Sequence, residues 1–178
     1  MKHQIAILAA ACVTVWGSSA FAAQGVLGAM QSFQDFCLSG NLSIEAMANV
    51  AKDRHYKLMV DRRLPGPGKS ILLNKTWQVT DVTGDFALTA TENEGGSAGR
   101  SFQCGVTLPS GAEKSVESAL EDASHFGAPD QIKKNPDGSR LVRWVRHFDW
   151  GTATVSLTSQ LSQLQGGSMV NVLYQAEH

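Results

Sequence analysis

Residues Arg140 to Leu161 read RLVRWVRHFDWGTATVSLTSQL, and their alternation decides the fold class. Val142, Trp144, Arg146, Phe148 and Trp150 fall on one side of an extended chain, with Leu141, Arg143, Val145, His147 and Asp149 on the other. From Thr152 the pattern repeats more cleanly: Ala153, Val155, Leu157 and Leu161 face one way, Thr152, Thr154, Ser156 and Thr158 the other. Strands with one apolar and one wet side belong to antiparallel sheets that are covered on a single face. Two such strands in succession therefore predict a hairpin within a half-open sheet.

Working outward, Asn135-Pro136-Asp137-Gly138 is a hairpin-type turn before this pair, and Gly166-Gly167 precedes a further strand at Met169–Tyr174. Upstream, Thr76–Thr80, Phe86–Glu92 and Ser101–Leu108 read as strands. Asp81-Val82-Thr83-Gly84 turns between the first two, and Glu92–Arg100 is a polar, Gly-rich loop before the third. Leu64-Pro65-Gly66-Pro67-Gly68 reads as loop, because two prolines and two glycines cannot continue a helix or a central strand.

Three segments have helical spacing instead. Val26, Met30, Phe33 and Cys37, with Leu27 and Leu38, predict a helix over residues 25–38, broken by Ser39-Gly40-Asn41. Ser43 is a good N-cap for a second helix in which Ile44, Met47, Ala51 and His55 share a face. Ser110-Gly111-Ala112-Glu113 is a capping box opening a third, with Val116, Ala119, Leu120 and Ala123 on one side and Gly127 as its C′ residue. Short strands joined by hairpin-length links, plus these helices, predict an α+β fold: the N-terminal helices and the central helix pack on one face of a mainly antiparallel sheet. No sequence repeat is visible between the two strand sets.

The N-terminus predicts export. Lys2 precedes an apolar run, Ile5 to Trp16, and Ala20-Phe21-Ala22 has the small-x-small form accepted by signal peptidase. The run is shorter than the roughly 20 apolar residues a membrane span needs, so cleavage near Ala22 and a periplasmic or secreted product are expected. Leu8-Ala9-Ala10-Ala11-Cys12 offers a rival lipoprotein reading, but Leu8 stands one place too far from Cys12. Residues 23–178 then form a single domain of 156 residues with no transmembrane segment. In it 14 Lys and Arg meet 16 Asp and Glu, a net charge of −2. Dedicated nucleic-acid binders carry a strong basic excess, so that class is set aside. Cys37 and Cys104 are the two cysteines left, and an even pair in an oxidising compartment predicts one structural disulfide.

Phe33-x-x-x-Cys37-Leu38 soon after the signal, Trp77 opening a strand, Cys104-x-Val106 before a helix and a late Trp-containing hairpin together resemble a group of small exported proteins of proteobacteria. The likeness spans most of the mature chain. It implies export and the disulfide, and no activity.

Candidate sites are few. Arg140, Arg143 and Arg146 interleave with Trp144, Phe148 and Trp150, a mixture found on binding surfaces. Arg143, Trp144, Arg146 and His147 are the ligand-binding candidates. The bland alternative makes Trp144 and Phe148 core and leaves Arg143 and His147 in solvent, with Arg146 reaching a rim or a carboxylate. Gly95-Gly96-Ser97-Ala98-Gly99 matches G-x-S-x-G, yet that chemistry needs a strand-to-helix turn and here a strand pattern follows. His147 and Asp149 could share a metal ion, but catalytic zinc normally takes three protein ligands. Gly68-Lys69-Ser70 ends like a P-loop, but Arg63 stands where glycine is required.

The sequence is therefore read as a non-catalytic periplasmic or secreted module. It would bind a protein, an envelope component or a small anionic ligand, with no cofactor. The alternatives are a small envelope hydrolase built on Ser97 or on His147 and Asp149, and an inhibitor- or immunity-type protein.

Overall fold

The computed structural model describes residues 18–40, 42–66, 69–81, 84–95, 100–109, 112–123, 126–136, 138–159 and 167–175. Three helices and eight strands occur among them: α1 Ser18–Cys37, α2 Ile44–Asp53, β1 Lys57–Pro65, β2 Ile71–Asp81, β3 Gly84–Glu94, β4 Ser101–Pro109, α3 Glu113–Asp122, β5 Gln131–Lys134, β6 Arg140–Phe148, β7 Gly151–Ser159 and β8 Gly167–Gln175. The class is α+β, as the alternation predicts. The strands form one antiparallel sheet in the order β1-β2-β3-β4-β8-β7-β6-β5. No described helix is long and apolar enough to cross a membrane.

The order reveals a duplication of topology. A helix and a four-stranded meander, α2 with β1 to β4, are followed by a second such set, α3 with β5 to β8. The meanders join where β4 pairs with β8, Cys104 opposite Val172 and Val106 opposite Val170.

Cross-strand partners share a face, so the register sorts the sheet into two sides. One side holds Trp77, Leu88, Phe102, Cys104, Val106, Val142, Trp144, Val155 and Leu157, all buried. Fully burying a side chain of this kind contributes about 1.5–3 kcal/mol. Each helix is tied to this side by a specific link. Cys37 at the end of α1 is disulfide-bonded to Cys104, with 5.3 Å between their Cα atoms. The backbone N–H of Ile44, first residue of α2, donates to Glu92 Oε2 of β3 at 2.8 Å. Arg140 of β6 grips Glu117 of α3 with both guanidinium ends, Nη2 to Oε1 at 2.7 Å.

Several local expectations hold. Ser43 caps α2, its hydroxyl accepting from the Ala46 N–H at 3.1 Å, and Ile44, Met47 and Ala51 are buried. α1 ends at Cys37, and Gly40 turns the chain beyond it at φ +80°, a conformation open to glycine at little cost. A Cβ there would also meet the Trp150 ring at 3.0 Å.

Other expectations are corrected. Leu27 is 63% exposed, outside the stripe made by Val26, Ala29, Met30, Phe33, Phe36 and Cys37. α2 stops at Asp53, and His55 is exposed in the left-handed region at φ 57°. α3 begins at Glu113 with Ala112 as N-cap and no side-chain cap, while Ser110 and Gly111 lie outside the described residues. Gly127 stands beyond the C-cap Ala123 and is not the C′ residue.

Two strands escaped the sequence reading, for one reason. β1 and β5 are the sheet edges, and every residue of both is exposed except the intermediate Val60. Neither needs an apolar side, and a register shift between Leu58 and Val60 further breaks the period of β1. Leu64 and Pro65, read as loop, end that strand.

Candidate functional site

The Arg143–His147 segment lies on β6, and strand geometry divides its residues between opposite sides of the sheet. Trp144 points into the core at 0% exposure, and its Nε1 donates to the Gly127 carbonyl at 3.1 Å. It is packing rather than contact surface. Phe148 shares that side and stacks on Trp150, ring centroids 4.7 Å apart.

Arg146 is on the helix side as well, and both options the sequence left open are realised. Its Nη1 reaches Asp130 Oδ2 at 2.5 Å and the Val145 carbonyl at 2.7 Å. Its Nε donates to the Phe126 carbonyl at 2.7 Å, and Nη2 donates to the Phe126 and Ala128 carbonyls. The guanidinium thus fastens the 126–130 connection to the sheet, and its donors are spent on the protein itself. Asp130 also accepts from the Val145 N–H at 2.6 Å. That backbone bond first, then the Arg146 guanidinium, holds its carboxyl below the usual aspartate range. Arg146 and Trp144 are therefore structural, and the proposed four-residue surface is not assembled.

Arg143 and His147 occupy the other side, which carries no helix among the described residues. His147 is exposed, and its Nδ1 lies 2.7 Å from the Thr152 hydroxyl across the β6–β7 hairpin. Asp149 follows in the turn, exposed, and no group of three metal-ligating residues occurs among the described residues. Arg143 is half-buried between Gln131 of β5 and Ser156 of β7. Two side-chain polar atoms in the described structure are shut off from solvent without a protein partner, Arg143 Nε and Asn93 Oδ1. By register both belong to this helix-free side. A buried donor left unpaired costs about 1–3 kcal/mol, so such a group is a feature to be explained.

The register also gathers what the sequence scatters. Thr76, Thr80, Thr89, Thr91, Thr107, Thr152, Thr154 and Thr158 all fall on the helix-free side, eight of the ten threonines in the chain. Asn74 Nδ2 donates to Thr91 Oγ1 at 2.9 Å, and the Thr76 and Thr89 hydroxyls pair at 3.2 Å. The sequence shows this side of β7 plainly, as Thr152, Thr154, Ser156 and Thr158. Its continuation across β2, β3 and β4 depends on pairing that the linear chain does not display.

A second cluster missed by the sequence reading lies on the helix side. Lys114, Glu117, Lys134, Arg140 and Ser159 line a cavity of about 450 Å³. The Glu117–Arg140 pair forms part of its wall, together with Glu113. The guanidinium bond, above all, lowers the Glu117 pKa and raises that of Arg140. Ser97 and Cys12 lie outside the described residues.

No family model, no curated protein and no solved structure matches this chain.

Proposed function

We propose that this chain is a non-catalytic binding module of the cell envelope or its surroundings, and that it takes an anionic group on the helix-free sheet face with Arg143 as anchor. The observation that carries this reading is the Arg143 guanidinium, whose Nε is enclosed yet unpartnered among hydroxyl and amide side chains. An arginine fork suits a carboxylate or phosphate, because two parallel N–H donors match two oxygens. Trp144 and Arg146 support the site from behind, by fixing β6 against the 126–130 connection.

Export belongs to the same proposal. The Cys37–Cys104 disulfide is compatible with an oxidising compartment. Cleavage after Ala22 would remove only the first turn or so of α1, whose first described buried residue is Val26. The resemblance to small exported proteobacterial proteins points the same way. The carrier of the anionic group is a protein or an envelope component.

The test is a titration of the mature protein with sodium phosphate and with sodium acetate, following the Arg143 Nε–Hε resonance by NMR. A saturable shift of that resonance, absent in Arg143→Gln, is expected. An unmoved resonance with both anions would sink the reading.

A further inference from the structure

We infer that the anionic group is carried by an acidic glycan laid across the strands of the helix-free face; this rests on the anion reading above. Three register rows cross the sheet on this side. One runs from Lys133 of β5 to Lys57 of β1, the next from Gln131 to Val60, the third from Val145 of β6 to Arg62. None of the three contains an aspartate or a glutamate, although the chain has 16. Cations stand at both ends, Lys133 and Arg143 near one edge, Lys57 and Arg62 near the other. Eight strands set them about 34 Å apart, too far for one small anion to engage both.

Between the charged ends the described side chains are chiefly Thr, Ser, Asn and Gln, none of them buried. A hydroxyl both donates and accepts, so it can meet a sugar hydroxyl in either role. No Trp, Tyr or Phe lies in these rows; Trp77, Phe86, Phe102, Trp144 and Phe148 are on the helix side. Protein interfaces concentrate their energy in aromatic anchors, and single-stranded nucleic acids stack on them. A hydroxylated, negatively charged polymer needs neither. At the middle of the middle row is Gly105, on the strand where the two meanders join, with Thr89 on one side and Asn171 on the other.

The experiment is calorimetric titration of the mature protein with three probes: oligogalacturonate, poly-glutamate of equal charge, and neutral maltooligosaccharide. Oligogalacturonate should bind about tenfold or more tighter than poly-glutamate, and tighter as it lengthens towards the span between the cations, because more sites engage at once. Thr154→Glu, which puts a carboxylate at a half-buried hydroxyl position of the third row, should weaken it by a similar factor. Arg62→Gln, which removes an exposed cation at the far edge, is the second variant should Thr154→Glu fail to fold. Equal binding of poly-glutamate would overturn the glycan inference and leave the anion reading standing, as would undiminished affinity in both variants. No binding by any probe, with an Arg143 resonance that phosphate and acetate leave unmoved, would overturn both.

Discussion

The two meanders share one topology and are held to their helices by different chemistry. In the first, α1 is bonded covalently to β4 through Cys37–Cys104, and α2 is caught at its N-terminus by Glu92, a carboxylate 3% exposed and braced by Arg100 Nε at 2.7 Å. In the second, two arginines of β6 perform the equivalent tasks, Arg140 on α3 and Arg146 on the 126–130 connection. One half is pinned by a disulfide and a buried acid, the other by guanidinium forks closer to solvent. Similar architecture does not require similar contacts, because what the topology demands is only that each helix be tied to one sheet face. Any link that satisfies its polar groups will serve.

That contrast can be broken at its strongest point first. Cys37→Ser opens a loop of 67 residues' separation, and the chain-entropy account places the loss near 4 kcal/mol. Denaturant unfolding of the two proteins should show it. Hydrogen exchange in the variant should rise in α1 and β4 before it rises in β6; uniform loss of protection would mean the halves are not separately fastened. Glu92→Ala comes next, since it strips the Ile44 N–H and Arg100 of their buried acceptor; about 2–3 kcal/mol is expected, read from the same unfolding curves.

Arg146→Met tests the other half. It removes the donors to Phe126 and Ala128, and a cost of about 2 kcal/mol follows from losing charge-assisted bonds. Its exchange signature should centre on 126–130 and β5, the mirror of the Cys37→Ser result. The smallest effect belongs to Glu117→Gln. The folded Glu117 pKa is depressed from its ordinary 4.5, so the Arg140 pair contributes stability above that value and loses it as pH falls through the folded pKa. The variant should lower stability at neutral pH by about 1 kcal/mol or less, because the pair is partly exposed. It should also flatten the decline below pH ~4.5. An acid limb as steep as the parent's would remove Glu117 from the account.

The helices and central strands were legible because each has an apolar side to bury. Val142, Trp144, Val155 and Leu157 announce themselves by alternation, and Ile44, Met47 and Ala51 by helical spacing. β1 and β5 were not, since an edge strand exposed on both sides carries no period. The same limit hid half of the candidate site. Arg143 was legible as an arginine on the wet side of β6. Trp144 and Arg146, one and three positions from Arg143 and on the opposite side, fall into the same candidate stretch because local composition does not record what a side chain meets across space.

By itself, the sequence determined the α+β class, the capped α2, the pairing of Cys37 with Cys104 and the direction in which each central β6 and β7 side chain points. These follow from local stereochemistry and from the number of cysteines available to pair. Only the tertiary structure decided that two four-stranded meanders join at β4 and β8, that Arg146 is consumed by backbone carbonyls and Asp130, and that eight threonines spread over the same sheet face that carries Arg143. Each depends on register between strands far apart in the chain, and register is set by burying all the apolar sides at once.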